Sequence, residues 1–128
     1  MTLKDRLRVL VVDDMSTSRG ILLQRLDTIG IPNVAHAEDG VAGLCQARRF
    51  RPHLILSDLY MPRLNGLEFL RDLRAEPKTH AIGFILVTGR ADEAIVQAGR
   101  RLGMNNYLAK PFDVPQLRDC IEAVVGQL

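Results

Sequence analysis

The sequence predicts a single α/β domain in which a doubly wound, five-stranded parallel sheet is covered by five helices. The chain has 128 residues, of which 47% are hydrophobic, so it can build one core but not two. Short aliphatic runs of strand length alternate along the whole chain with stretches of helical periodicity. Nearly continuous apolar strands separated by helices are typical of a parallel sheet that is buried on both faces.

The elements follow one another in strict alternation. Strands are predicted at residues 8–12, 33–37, 53–57, 83–88 and 106–108. Apolar residues at helical intervals mark the first two helices, at Leu22, Leu26 and Ile29 and at Val41 and Leu44. The last three helices are marked by Leu67, Phe69, Leu70 and Leu73, by Ala91, Ile95, Ala98 and Leu102, and by Val114, Leu117, Ile121, Val124 and Leu128.

Residues that begin and end helices support this assignment. Ser16 or Thr17 is expected to cap the first helix, and Gly30 and Gly103 stand where helices should end. Asp113, with a proline two residues later, is typical of the beginning of the last helix. We find no linker or repeat that would divide the chain, so one domain is expected.

Charge and hydropathy argue against several classes of function. The net charge of +2 is spread along the chain without a basic arm, so binding to nucleic acid is not expected. The longest apolar runs are far shorter than the ~20 residues that cross a bilayer, and the N-terminus lacks a signal-peptide pattern, so no membrane partner is expected. Cys45 and Cys120 are expected to be buried free thiols in a reducing compartment, which predicts the cytoplasm.

Polar residues collect where the predicted strands end. Asp13 and Asp14 close the first strand, Asp58 the third and Thr88 the fourth, and Lys110 follows the fifth. Because a parallel sheet binds ligands at the carboxyl ends of its strands, we expect these groups at one edge. Clustered carboxylates repel one another, and Mg²⁺, which prefers oxygen ligands, offsets that repulsion. We therefore expect a magnesium site in which one carboxylate forms an aspartyl phosphate, with the ammonium and hydroxyl groups on the phosphoryl oxygens.

The motifs around these residues resemble one protein family. They are Val11-Val-Asp-Asp-Met-Ser-Thr-Ser-Arg19, Ala37-Glu-Asp-Gly40, Ser57-Asp-Leu-Tyr-Met-Pro62, Asn65-Gly66, Val87-Thr88 and Lys110-Pro-Phe112. As a set they resemble the receiver domain of two-component response regulators, most closely the single-domain chemotaxis regulators. The resemblance covers residues 8–128 and implies a flavodoxin-like sheet with strand order 2-1-3-4-5. Residues 1–128 are accordingly assigned to one receiver domain.

The resemblance implies a role for each acidic residue. Asp58 would accept a phosphoryl group from a histidine kinase. Asp14 and Asp58 would bind Mg²⁺ directly, Asp13 would act mainly through water, and the backbone carbonyl of Tyr60 would be the third protein ligand. The protein would then be a signalling switch that assists its own phosphorylation and dephosphorylation, not an enzyme with a separate substrate.

The resemblance also implies how the signal leaves the site. Thr88 and Lys110 would contact the phosphoryl oxygens. The Thr88 hydroxyl would move toward them, and Tyr107 would turn inward behind it. This movement would repack the surface formed by the predicted fourth helix, fifth strand and fifth helix, a population shift driven by the added charge. The Lys110-Pro111 peptide is expected to be cis.

The expected partners follow from the same family. They are a histidine kinase of the chemotaxis type, a downstream protein target for which the flagellar motor switch protein is the natural candidate, and a phosphatase. The protein is expected to act as a monomer. A phosphorelay intermediate, or a stand-alone receiver controlling another protein, remains the alternative.

Two departures from the chemotaxis prototype lie beside the expected site. Tyr60 replaces a small polar residue and Arg90 replaces an acidic one. Both would border the route of attacking water, so the lifetime of the aspartyl phosphate is expected to differ. Asn65-Gly66 replaces Asp-Gly, which is expected to be harmless because the turn needs mainly the glycine.

Other classes fit the residues less well. A flavin protein of similar topology would place its phosphate beside Asp13 and Asp14, whose charges would repel it. An aspartyl-phosphate hydrolase would need an acid or base near the nucleophile, and Tyr60 stands where a second aspartate would be expected. A module that is never phosphorylated would not need all five site residues.

Overall fold

The computed structural model of the protein describes residues 2–128, which form six helices and five strands. In chain order they are α1 (Leu3–Arg6), β1 (Arg8–Val12), α2 (Ser16–Ile29), β2 (Asn33–Ala37), α3 (Gly40–Phe50), β3 (Leu54–Ser57), α4 (Gly66–Ala75), β4 (Gly83–Thr88), α5 (Glu93–Arg101), β5 (Asn106–Ala109) and α6 (Val114–Val125). All neighbouring strands are parallel, and their spatial order is β2-β1-β3-β4-β5. The flavodoxin-like sheet is therefore confirmed.

The sheet is buried on both faces because successive side chains of its inner strands point to opposite sides. On β1, Val9 and Val11 pack toward α2 and α6, while Leu10 and Val12 pack toward α3, α4 and α5. All four side chains are 0% exposed. On the second face the rings of Phe69 and Phe84 meet edge to face, with centroids 5.9 Å apart. Apolar layers thus cover both faces of the sheet, and the ends of the strands remain available for polar side chains.

The number of helices differs from the prediction of five. The additional helix, α1, has four residues and is too short to show an apolar period. Its signal is a capping box, in which Thr2 accepts a hydrogen bond from the backbone amide of Asp5 and the Asp5 side chain accepts one from that of Thr2. Because of α1, the predicted fourth and fifth helices are α5 and α6. None of the helices in residues 2–128 is long and apolar enough to cross a membrane.

Several helix ends also differ from the expectation. The N-cap of α2 is Met15, which caps through its backbone alone, so neither Ser16 nor Thr17 fills that position. The last helix ends at Val125, and Leu128 lies beyond it. The predicted ends at Gly30 and near Gly103 are confirmed, since both glycines adopt a left-handed φ, of 98° and 93°.

The inner face of α5 and one cysteine need correction. Ala91 precedes α5, whose buried positions are Val96 and Gly99. The apolar period alone could not show that this helix approaches its neighbours so closely that a glycine lies in the contact. Cys45 is exposed on the outer side of α3, whereas Cys120 is buried as expected. Burial raises the pKa of the Cys120 thiol to about 11.

Candidate functional site

The carboxyl ends of the strands surround a cleft of about 500 Å³. Every strand runs in the same direction, so polar residues that follow different strands meet at one edge. The cleft is lined by Asp14, Met15, Asp58, Tyr60, Thr88, Gly89, Arg90 and Lys110. Asp13 is 0% exposed and lies beneath it. The structure therefore brings together the acidic, hydroxyl and ammonium groups that the sequence places at strand ends.

The three carboxylates differ in their access to solvent. Asp13 is fully buried, Asp58 is 8% exposed, and Asp14 is exposed. One oxygen from each lies within 4.8 Å of the others. Three negative groups this close repel one another, and Lys110 is the cation that forms ion pairs with two of them among residues 2–128. The three carboxylates therefore carry more negative charge than the single ammonium of Lys110 can offset.

Asp58 occupies the floor of this cleft directly after β3. Its Oδ1 atom accepts a hydrogen bond of 2.8 Å from the backbone amide of Leu59. Its Oδ2 atom lies 3.5 Å from the Lys110 ammonium. Burial raises the pKa of the Asp58 carboxyl above its ordinary value, and the charge of Lys110 and the Leu59 amide oppose this shift. One oxygen is thus anchored to the backbone while the other faces a positive charge.

Asp13 organises the start of α2 as well as the cleft. Its Oδ1 atom accepts a hydrogen bond of 3.0 Å from the backbone amide of Met15. Its backbone carbonyl accepts one of 2.8 Å from the Arg19 guanidinium. Asp13 therefore holds the N-cap residue of α2, and no side chain caps the helix itself.

Gly66 is needed for a reason that differs from the one expected. It has no left-handed φ and is the first residue of α4, where Asn65 is the N-cap and accepts from the amide of Glu68 at 2.9 Å. A Cβ atom on Gly66 would lie 2.3 Å from the carbonyl oxygen of Asp58. The absence of a side chain on Gly66 thus allows α4 to pack against the loop that carries Asp58, and Asn65, in place of an aspartate, still caps the helix.

Lys110 has a partner that sequence reasoning missed. Its Nζ atom donates a hydrogen bond of 2.7 Å to Ser18 Oγ and one of 3.4 Å to Asp13 Oδ2. Ser18 and Lys110 are 92 residues apart, and a serine in the first turn of a helix carries no sequence signal for such a contact. The peptide after Lys110 is cis, as expected.

The residues expected to transmit the signal lie on neighbouring strands. Thr88 is 1% exposed, and its hydroxyl accepts a hydrogen bond of 3.1 Å from the Arg90 amide. Tyr107 is half-buried on β5, opposite Leu86 in the register, and packs against the core between the sheet and α5. Tyr60 is 57% exposed at the mouth of the cleft. The Thr88 hydroxyl therefore lies on β4, next to the strand that carries the ring of Tyr107.

The donor set fits a hard divalent cation. All three clustered groups are carboxylates, and the exposed Asp14 has neither an ion pair nor a side-chain hydrogen bond recorded with residues 2–128. Oxygen ligands with some open, hydrated positions suit Mg²⁺, whereas zinc and copper sites normally include histidine or cysteine. The residues present therefore fit a hard divalent cation such as Mg²⁺.

Comparison with known proteins agrees with this geometry. A relative from Rhizobium etli, named "Probable chemotaxis protein CheY", is 39% identical over 128 residues, which cover 100% of this chain and 99% of the relative. The solved structure of chemotaxis protein CheY4 from Vibrio cholerae has a TM-score of 0.86 at 29% identity, covering 92% of this chain and 98% of that one. The receiver domain of a sensor histidine kinase from Pseudomonas aeruginosa, solved with a magnesium ion in its active-site cleft, has a TM-score of 0.85 at 28% identity, covering 94% and 98%.

The family itself is shown by a match along most of the chain. Residues 9–122 match the response regulator receiver domain. This range includes all five strands except Arg8, the first residue of β1, and every residue that lines the cleft. The chain therefore belongs to the family of response regulator receiver domains, and within it resembles CheY proteins.

Proposed function

We propose that this protein is a phosphorylation-dependent switch in which Asp58 accepts a phosphoryl group from a histidine kinase in a Mg²⁺-dependent reaction. In this proposal residues 1–128 act as one receiver domain in the cytoplasm. The observation that carries it is the position of Asp58 on the floor of an acidic cleft, with Lys110 3.5 Å from its outer oxygen. Chemotaxis is the proposed context, supported by the similarity to CheY proteins.

The charges of the cleft favour transfer to Asp58. In the reaction a carboxylate oxygen of Asp58 attacks phosphorus while the bond to the donor nitrogen breaks. Lys110 then offsets negative charge on the phosphoryl oxygens, and the buried Thr88 hydroxyl supplies a hydrogen-bond donor. Thr88 ends β4 and Lys110 follows β5, so neighbouring strands bring both groups to the cleft that contains Asp58.

Asp13, Asp14 and Asp58 are proposed to hold the magnesium ion, with the backbone carbonyl of Tyr60 as a further ligand. Magnesium, when bound, would neutralise charge on the transferring phosphoryl group. The excess of carboxylates over cations in this cluster supports this assignment. The protein's own part is to keep Asp13 buried and Asp14 accessible, so that ligands are presented from two directions.

The output is proposed to be a change of the surface formed by α5, β5 and α6. The Thr88 hydroxyl accepts a hydrogen bond of 3.1 Å from the Arg90 amide. A phosphoryl group on Asp58 would draw the hydroxyl away from that amide. The space behind β4 would then accommodate the ring of Tyr107. A partner that prefers this arrangement would read it, and the proposed partner is a flagellar motor switch protein.

Incubation with acetyl phosphate and Mg²⁺ tests the phosphoacceptor directly. Intact-mass spectrometry should show one added phosphoryl group on the wild type and on Asp119→Asn, an exposed aspartate on α6 that serves as a control. Asp58→Asn should remain unmodified, and chelation of Mg²⁺ should abolish the reaction of the wild type. Full incorporation by Asp58→Asn, or none by the wild type, would contradict the proposal.

A phosphorelay intermediate is the second candidate. The similarity to the receiver domain of a sensor histidine kinase favours it, since the fold is shared with a receiver that is part of a kinase. Phosphorylated protein would then return its phosphoryl group to a purified histidine phosphotransfer domain within minutes. Retention of the phosphoryl group, together with capture of a partner only by beryllofluoride-treated protein, would favour the terminal switch.

A further inference from the structure

The Lys110 ammonium is held by three acceptors at unequal distances. Its shortest contact is the hydrogen bond of 2.7 Å to the neutral hydroxyl of Ser18, whereas Asp13 lies at 3.4 Å and Asp58 at 3.5 Å. The contacts with Ser18 and Asp13 are hydrogen bonds, and the contact with Asp58 is an ion pair. The closest partner is therefore a neutral hydroxyl and not one of the carboxylates.

Ser18 has the right place to control this side chain. It is the third residue of α2, and its hydroxyl accepts from Lys110 and does not cap the helix, whose N-cap residue is Met15. Together with Ile21 and Phe112, Ser18 and the stem of Lys110 line a second cleft, of about 300 Å³, beside the site. The Lys110 side chain is 25% exposed, so without this contact its flexible stem could carry the ammonium into that cleft and into solvent.

We propose that Ser18 is a positioning residue that holds the Lys110 ammonium beside Asp58 for phosphoryl transfer. This inference rests on the proposed function. A neutral acceptor suits the role because it orients the ammonium without adding a fourth negative charge to a cluster that receives a phosphoryl group. The contact also ties the first turn of α2 to the loop after β5.

The rate constant for phosphorylation by acetyl phosphate is the first readout. Ser18→Ala should lower it about three- to tenfold, the loss expected for a partly exposed hydrogen bond to a charged group. Ser18→Thr keeps the hydroxyl and should stay within about twofold of the wild type. Ser16→Ala, an exposed serine of the same turn, is the matched control and should also be unchanged.

The second readout follows Lys110 itself. The chain contains three lysines, Lys4, Lys78 and Lys110, so a ¹⁵N spectrum of the ammonium groups is simple and Lys110→Met assigns the signal. Exchange of the Lys110 ammonium protons with water should be slow in the wild type and in Ser18→Thr. In Ser18→Ala it should approach that of the exposed Lys78.

The outcomes separate this inference from the proposed function. A wild type that takes up no phosphoryl group would remove the proposed function and the positioning role with it. An active wild type with an unchanged Ser18→Ala rate, or a slow Ser18→Ala that Ser18→Thr does not rescue, would overturn the positioning role alone. So would a slowed Ser18→Ala whose Lys110 signal exchanges as in the wild type. Slowing, rescue and faster proton exchange together would establish it.

Discussion

Replacement of Gly66 by alanine is expected to damage both the fold and the proposed phosphoacceptor site. The added Cβ atom would lie 2.3 Å from the carbonyl oxygen of Asp58, 3.1 Å from the Cα atom of Leu59 and 3.1 Å from a methyl group of Leu86. Two of these neighbours are backbone atoms, which cannot move as a flexible side chain does. Either α4 or the loop that carries Asp58 must therefore shift.

The size of the effect follows from the overlap. Real Cβ contacts do not fall below 3.0 Å, so the loop or the helix would move by at least 0.7 Å. Such overpacking costs about 1–3 kcal/mol, and we expect about 2 kcal/mol for Gly66→Ala. In a domain of this size that loss lowers the melting temperature by roughly 6–10 °C. The same shift would move Asp58 relative to Lys110, so phosphorylation by acetyl phosphate should slow about tenfold or more.

Gly20→Ala is the matched control because Gly20 is an exposed glycine within α2. A Cβ atom there would meet nothing within 4 Å. Alanine should instead raise the free energy of unfolding by about 0.5–1 kcal/mol through helix propensity and a less flexible unfolded chain. Urea unfolding and the acetyl phosphate reaction would be measured for both variants. A Gly66→Ala protein as stable and as reactive as the wild type, or a Gly20→Ala protein destabilised to the same degree as Gly66→Ala, would refute the steric reasoning.

Three further predictions concern the cleft, the pH dependence of stability and a half-buried arginine. Tyr60→Asn should shorten the lifetime of the aspartyl phosphate about three- to tenfold because the ring no longer covers the mouth of the cleft, and Arg90→Glu should shorten it as well, both measured by loss of phosphoprotein after removal of the donor. A backbone amide of α3 and a nearby guanidinium hold the pKa of the Asp39 carboxyl below its ordinary value of 3.8. Its contribution to stability is complete above that value and is lost as the pH falls through the lowered pKa, so the stability advantage of wild type over Asp39→Asn should shrink in acid urea titrations. Arg74 donates hydrogen bonds to four acceptors in two chain segments, and Arg74→Met should cost about 2 kcal/mol in urea unfolding.

Each of these three predictions has a control or an outcome that would contradict it. Unchanged lifetimes in both cleft variants would show that Tyr60 and Arg90 do not limit the access of water. If the free energies of unfolding of wild type and Asp39→Asn change in parallel with pH, the acid-sensitive part of the stability does not come from Asp39. Arg71→Met, on the exposed side of α4 with 61% of its side chain accessible, should change stability by less than about 0.5 kcal/mol. An equal loss in both arginine variants would point to helix propensity and not to the hydrogen bonds of Arg74.

Most of the secondary structure was predictable from local patterns. The predicted ranges of β1, β2 and β4 agree with the structure, and the other two strands differ by one residue at one end. Aliphatic runs indicate buried strands because a parallel sheet covered on both faces leaves no polar side for its inner strands. The four-residue α1 escaped prediction because a single helical turn has no period to detect.

The composition of the candidate site was also predictable, since it depends on topology and not on side-chain geometry. Asp13, Asp58 and Thr88 end or follow parallel strands, and the direction of those strands carries them to one edge. The different exposure of Asp13 and Asp14 was not predictable, because adjacent residues after a strand point in different directions only once the following loop is placed. Cys45, expected to be buried, is exposed for a related reason, since its helix covers the sheet with another face.

Local order along the chain thus specifies which elements form and which chemical groups reach the cleft. Packing between distant segments specifies how those groups are held. The hydrogen bond from Lys110 to Ser18 joins residues 92 positions apart, and the approach of Asp58 to Gly66 depends on how closely α4 seats on the sheet. Periodicity reports which face of an element is buried, but it contains no distances between elements. Those distances arise when two apolar layers close on the sheet, and they decide which serine holds the lysine and which glycine cannot be replaced.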